Sequence, residues 1–450
     1  MKHARFLSGV VEGFYGRPWS SAQRRALVAR LGALGLNTYL YAPKDDLRHR
    51  ARWRDLYEEN EAAELREVIA ACAAAGVSFV YALAPGLDAA FSSADGHAAL
   101  EHKAAQLMSL GARHFAVLFD DIIPSPASGQ LGATEHDAGP QAAFAHRLRA
   151  LQRREDPAAR LLFCPTPYCG RMAGDVSASG YLRHLGAHLD PAVDVMWTGP
   201  EIVSETITPG DVGELTKVLR RRPLIWDNLF ANDYDLRRLY LGPYAGRPVS
   251  LRQATAGVLL NPNCEFEANR LPLDTFAAWV ARESYDPAEE HETAREAWRK
   301  DWLCLGTDGA SYQVPAEHFA LLCDCLHLPF THGPAAETWH RGVAAALQGD
   351  PDALGRAREG ARQLIALFEH LTRLKDRDLL HTVYRHVWEL KEEAGLILGY
   401  LGWAERHPRD TAGFVSAEHR PRTYRGGLAA DLQRLLVMRP DGRFTPRPDR

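Results

Sequence analysis

Eight short apolar runs, each followed by an amphipathic stretch, fill this 450-residue chain up to about residue 282, and that alternation restricts its fold more than any other feature. The runs are FLSGVVEG (6–13), TYLYAP (38–43), SFVYALAP (78–85), HFAVLFDD (114–121), RLLFCPTPY (160–168), DVMWTG (194–199), PLIWDN (223–228) and GVLLNPN (257–263). Runs that are apolar at successive positions suit strands covered on both faces, which calls for a parallel sheet walled by helices. Helical periodicity supplies the walls at 20–35, 60–75, 96–110, 140–155, 179–189, 211–221 and 271–282. In the first, Ser20 and Ser21 are N-cap candidates and Leu27, Leu31 and Leu34 share a face. In the second, Leu65, Val68, Ile69 and Cys72 do so before Gly76. Eight such units predict an α/β fold, a (β/α)8 TIM barrel over residues 1–285. The seventh connection is irregular: residues 229–256 hold only a short helical candidate around DYDLRRLYL (233–241).

After residue 285 only helical periods remain, as in AEHFALLCDCLHL (316–328) and DRDLLHTVYRHVWELKEEAGLILGYLGW (376–403). An all-α helical domain is therefore expected over 286–435, followed by a disordered Pro- and Arg-rich tail over 436–450. The 376–403 stripe is longer than one small bundle needs, so the helical region is expected to pair two chains as a homodimer.

A net charge of −4 and no long basic block argue against nucleic acid or an anionic polymer as partner. No stretch approaches 18 apolar residues, and the start lacks the apolar run of a signal peptide, so no membrane association is expected. Seven cysteines without a C-x-x-C pair indicate neither a disulfide framework nor a zinc site, and place the chain in a reducing cytoplasm.

Function in a barrel of this kind sits at the C-terminal ends of the strands. Those ends carry Gly13 and Tyr15, Lys44 with Asp45 and Asp46, Asp120 and Asp121, Tyr168, Trp197 and Thr198, Trp226 with Asp227 and Asn228, and Asn261 with Asn263. Any one of these could be rim packing or a turn former. Together they converge on one mouth, where aromatic faces beside amides and carboxylates suit a sugar.

The Asp120–Asp121 pair is the sharpest signal. Glycosidases with an enzymatic nucleophile or base place two carboxyls on opposite sides of the scissile bond, about 5–5.5 Å or 6.5–9.5 Å apart. Adjacent residues approach from one wall. The arrangement that remains is substrate assistance: a 2-acetamido group attacks as an oxazoline forms, one carboxylate polarises the amide N–H and the other protonates the leaving oxygen. Close like charges also push the two titrations apart. A metal site lacks a third hard ligand set, and no cofactor is called for.

The blocks GVVEGFYGRPW, YLYAPKDD, FDDI, FCPTPYCG, VMWTGPEIVS, WDNLFANDYD, LGPYAGR and NPNCEFEAN resemble the catalytic domain of glycoside hydrolase family 84, the protein O-GlcNAcases and their bacterial β-N-acetylglucosaminidase relatives. They run in order over residues 9–269. The resemblance implies a retaining exo-β-N-acetylglucosaminidase acting on a GlcNAc-bearing glycoprotein, glycopeptide or oligosaccharide, with no cofactor or metal. It implies that Asp120 handles the acetamido nitrogen and that Asp121 is the general acid/base. Tyr168, Trp226 and Asn228 then line the N-acetyl pocket, while Gly13, Lys44, Asp233 and Asn261 hold the ring hydroxyls. The competing readings are an endo-acting, hyaluronidase-like β-N-acetylhexosaminidase with the same pocket open at one end, and a non-catalytic glycan-binding barrel.

Overall fold

A computed structural model describes residues 5–122, 135–409, 412–416 and 427–447. It forms two compact units. The first comprises residues 1–233, 244–264 and 277–285, and the second 234–243, 265–276 and 286–450.

The first unit is a closed parallel barrel of β1 (Leu7–Glu12), β2 (Thr38–Tyr41), β3 (Ser78–Leu83), β4 (His114–Leu118), β5 (Leu161–Cys164), β6 (Val193–Trp197), β7 (Leu224–Asp227) and β8 (Gly257–Leu260). Closure comes from β1 pairing with β8 as well as β2. The barrel interior is an apolar cluster that takes alternate residues from each strand, among them Val11, Leu40, Ala42, Ala116, Leu118, Met196, Leu224, Trp226 and Leu259. The period-2 side-chain alternation of a strand therefore fixes which residues reach the mouth.

Helices cover the outside because their starts are capped and one face is apolar. Ser20 caps Ser21–Ala33 by accepting from the Gln23 amide, and Gln23 returns the bond to Ser20, a reciprocal capping box. Arg24 on that helix donates to the buried Glu12 carboxylate at the end of β1 at 2.7 and 2.9 Å, tying wall to strand. The helix expected from residue 140 in fact runs Glu135–Glu155, with Pro140 inside it.

The candidate helix at 233–241 does not form. Residues 234–243 belong to the second unit, where Leu239 and Leu241 lie in the core, so no barrel-facing period governs them. Among the described residues, the helix between β7 and β8 is the single turn Leu251–Ala254.

The second unit is mainly helical: Pro287–Arg299, Ala316–Cys325, Pro334–Leu347, Pro351–Thr372, Arg377–Arg406 and Gly427–Leu435 enclose one apolar core. The expectation of a disordered tail from 436 is corrected over the described part. Leu436–Met438 pairs antiparallel with Phe444–Pro446, and Leu436 and Phe444 are buried, which offsets the ordering entropy that a Pro- and Arg-rich segment otherwise keeps. No described helix is long and apolar enough to cross a membrane.

Three histidines of this unit, His291, His327 and His386, are buried, and burial drives each pKa down to about 4. The unfolded chain, titrating near 6.5, then binds more protons, so stability is complete above about 6.5 and is lost as pH falls toward 4. A loss of roughly 2 kcal/mol per histidine is expected at pH 5, read as a lower denaturant midpoint than at pH 7.5. Equal midpoints would show that these rings are not held neutral.

Candidate active site

The inward parity of each strand, continued past its end, delivers the site. On β4 the interior residues Ala116 and Leu118 are followed by Asp120, and on β2 Leu40 and Ala42 are followed by Lys44. Leu224 leads to Trp226 and Asn228, Leu259 to Asn261, and Val11 to Gly13. Trp197 has the opposite parity to the interior Met196 and is 1% exposed, so it serves the outer wall and not the mouth.

Asp120 is buried, and the Lys44 ammonium binds its Oδ2. Burial alone would raise the Asp120 pKa. The Lys44 charge and hydrogen bond, with Arg50 and His49 nearby, more than offset it and hold the carboxyl below its ordinary value. The charge of Asp120 is thus set chiefly by a lysine, where the sequence suggested only mutual repulsion with its neighbour. Lys44, assigned by resemblance to ring hydroxyls, is engaged by Asp120. Asp120 Oδ1 is buried and has no hydrogen-bond partner among the described residues.

Asp121 breaks the alternation. In an extended strand it would point away from the interior, on the parity of Val117 and Phe119. Its backbone instead takes φ of +52°, in the left-handed region. Asp is among the few non-glycine residues that visit this region at modest cost. The turn brings its carboxylate to the aromatic wall, where Tyr168 Oη donates to Oδ1 at 2.8 Å and Tyr15 Oη to Oδ2 at 3.0 Å. Burial, then the Asp121 charge, raises the pKa of both phenols, so they stay protonated donors. Asp120 is buried where Asp121 is exposed: the two adjacent carboxylates differ in depth.

Across the mouth, Trp226 Nε1 donates to Asn228 Oδ1 at 3.0 Å. Asn261 Nδ2 donates to the same oxygen at 2.9 Å. Asn228 Nδ2 is held by the Ile202 carbonyl at 2.7 Å. Asn261 Oδ1 is a further buried oxygen without a partner among the described residues. Gly13 makes room for the indole: a Cβ there would sit 2.2 Å from Trp226 Cζ2, so any larger residue must displace the ring. Lys44 Nζ lies 5.7 and 5.8 Å from the Tyr15 and Trp226 ring centroids, adding cation–π attraction to the ion pair. Asp233 is half-buried and accepts from the Tyr15 amide at 2.9 Å.

Behind this layer is a buried clamp. Arg247 donates to Asp227 Oδ1 at 2.7 Å and to Oδ2 at 2.8 Å, and also to the Ser204 and Glu205 carbonyls. Asp227 lies between Trp226 and Asn228, so the pair fixes the aim of both. Arg50 and His49 also reach the site without having been singled out from sequence. They stand on the loop after β2, where no strand parity marks direction.

A closed eight-stranded barrel whose mouth joins two carboxylates, aromatic walls and amides suits a sugar ligand. The β-N-acetylglucosaminidase family model matches residues 8–302, and the chain belongs to that family, glycoside hydrolase family 84. It is 46% identical to the protein O-GlcNAcases of Mus musculus and Rattus norvegicus over 276 residues, 61% of this chain and 30% of each relative. The chain therefore spans less than a third of the length of those relatives. A solved structure of a Thermobaculum terrenum O-GlcNAc hydrolase mutant superposes with a TM-score of 0.75 at 26% identity, covering 90% of this chain and 85% of the other.

Proposed function

We propose that this chain is a retaining exo-β-N-acetylglucosaminidase that removes terminal β-linked GlcNAc, including O-GlcNAc on Ser or Thr of proteins, by substrate assistance. The observation that carries it is Asp120: one carboxylate oxygen is bound by Lys44 while the other is buried and unpartnered among the described residues. A buried anionic acceptor costs free energy until a donor reaches it, and the N–H of a 2-acetamido group is such a donor.

The chemistry follows from that pairing. Asp120 accepts the amide N–H and raises the nucleophilicity of the acetamido oxygen, which attacks the anomeric carbon from the face opposite the leaving group. As the C1–O bond breaks, Asp121 gives its proton to the departing oxygen and the amide proton passes to Asp120, to be returned to nitrogen when the ring reopens, leaving an oxazoline and an Asp121 carboxylate oriented by Tyr15 and Tyr168. The same carboxylate then takes a proton from the water that opens the oxazoline, so the configuration at C1 is retained. Trp226, Tyr168 and Asn228 enclose the acetamido methyl and carbonyl. Asn261, with its free oxygen, and Asp233 take ring hydroxyls, and Gly13 leaves the space that Trp226 fills.

Aryl β-glucosides lacking the acetamido group should be essentially inert while the aryl β-N-acetylglucosaminide turns over, and a thiazoline mimic of the oxazoline should inhibit. Comparable rates on the two glycosides, or a trapped glycosyl-aspartate, would rule the mechanism out. Cleavage inside an N-acetylhexosamine polymer would favour the endo reading, and binding without turnover the glycan-binding barrel.

A cytoplasmic setting is supported by seven free cysteines, six of them buried. Fractionation of the producing cell tests it. Pairing of two chains is supported by the helix Arg377–Arg406, which buries one face in its own core yet leaves Tyr384 and Trp388, one turn apart, more than 40% exposed. Light scattering at micromolar concentration should give twice the chain mass; a monomer mass unchanged by Trp388→Glu would refute pairing.

A further inference from the structure

The left-handed backbone of Asp121 needs a restraint other than its own carboxylate, since the two tyrosines can follow a carboxylate that turns away only as far as their rings allow. One buried group addresses the backbone itself. Arg50 is 7% exposed, and its Nη2 donates to the Asp121 carbonyl oxygen at 3.2 Å. Its guanidinium carbon lies 6.0 Å from the centroid of the Tyr15 ring, whose hydroxyl holds the Asp121 carboxylate from the other side. Arg50 thus touches both the peptide that is turned and one of the groups that holds the turned side chain.

The platform under Arg50 is firm. Asp46 Oδ1 accepts the Arg48 and His49 amides at 2.8 and 3.3 Å, and Asp46 Oδ2 accepts the Tyr41 and Tyr57 hydroxyls at 2.7 and 2.5 Å. His49 Nδ1 donates to the Ala82 carbonyl at 2.7 Å, and the Ala84 amide donates to the His49 carbonyl at 3.0 Å. The residue before Arg50 is therefore locked on the end of β3, and a guanidinium carried by such a loop can hold a peptide in a sparsely populated conformation.

We infer that Arg50 is the positioning residue of the general acid: by binding the Asp121 carbonyl it fixes the left-handed turn that aims the Asp121 carboxyl at the leaving oxygen. This rests on the assignment of Asp121 as acid. Arg50 needs no contact with the sugar to do so, and its loss should fall mainly on substrates for which proton delivery limits the rate, because its share in keeping Asp120 ionised is smaller than that of Lys44. Lys44 remains to keep Asp120 ionised.

The test compares kcat on a GlcNAc-serine peptide, whose leaving group needs a proton, with kcat on a dinitrophenyl β-N-acetylglucosaminide, whose leaving group does not. Arg50→Met should lose roughly 10- to 100-fold on the peptide, the scale for a misplaced catalytic group, and less than about threefold on the aryl glycoside, with KM unchanged on both. Arg50→Lys, which keeps a donor and the charge, should recover much of the loss, and Arg50→Met should add nothing in an Asp121→Asn background. If the methionine variant does not fold, Arg50→Gln reads the same ratio. Equal losses on both substrates in a folded variant, or a raised KM with the ratio untouched, would overturn the inference. Asp121→Asn measured alongside separates the two levels. A leaving-group bias in Asp121→Asn but not in Arg50→Met removes only the role of Arg50, whereas no bias in Asp121→Asn removes the acid assignment and Arg50's role with it.

Discussion

Asp121→Asn is expected to lower turnover of a GlcNAc-serine peptide by roughly 10²- to 10⁴-fold while costing an activated aryl glycoside far less, because only the basic alkoxide must be protonated as it leaves. Asp120→Asn should instead slow both substrates by similar factors of about 10² or more, since the amide N–H is polarised whichever group departs. The asymmetry has a structural origin. Asp120 is buried against Lys44 with one oxygen free, whereas Asp121 is exposed and held by two phenols. Asn tolerates the left-handed region as Asp does, so Asp121→Asn tests the proton and not the turn. A strong leaving-group bias in Asp120→Asn alone would reverse the two roles. Near-normal rates on the peptide in both variants would make the pair structural.

Gly13, Lys44, Asp120, Trp226, Asn228 and Asn261 were legible in the sequence as strand ends and through the family resemblance. The structure adds that each extends an interior row, so that the strand's period of two turns it to the mouth. The same rule applied to Asp121 gives the wrong direction, and sequence put it in the site through its resemblance and its neighbour, not through periodicity. What turns it is one backbone angle, which Asp permits and no pattern announces. Arg50 was illegible for a related reason: its partner is a carbonyl oxygen, which every residue has. The role of Lys44 needed the fold, since ammonium and carboxylate lie 76 residues apart in sequence. The short helix expected around 233–241 does not form because its apolar residues Leu239 and Leu241 answer to the core of the second unit and follow no local period.

Lys44→Met should have the largest effect of any change that leaves both aspartates in place. The Lys44 and Asp120 side chains are 2% and 8% exposed, so removing the ammonium leaves a carboxylate buried with its main counter-charge gone. Breaking such a pair from one side costs about 3–5 kcal/mol. The carboxyl can escape that cost by keeping its proton, and burial, now opposed only by Arg50 and His49, then carries its pKa upward from the depressed value of the parent. A protonated Asp120 no longer attracts the amide N–H as an anion does, so activity at neutral pH should fall by about 10² or more, and the acid limb of the pH–rate profile should move to higher pH. Stability should change sign with it. In the parent the folded pKa lies below the unfolded one, so Asp120 contributes stability above the unfolded pKa of about 3.9 that is lost as pH falls through the folded value. In the variant the folded pKa lies above the unfolded one, so the contribution is present at low pH and is lost as pH rises through the new folded value. The gap in denaturant midpoint between parent and Lys44→Met should therefore be wide at pH 7.5 and narrow toward pH 4.5. A gap independent of pH, together with an acid limb that does not move, would mean that Lys44 contributes packing alone and that the charge of Asp120 is set elsewhere.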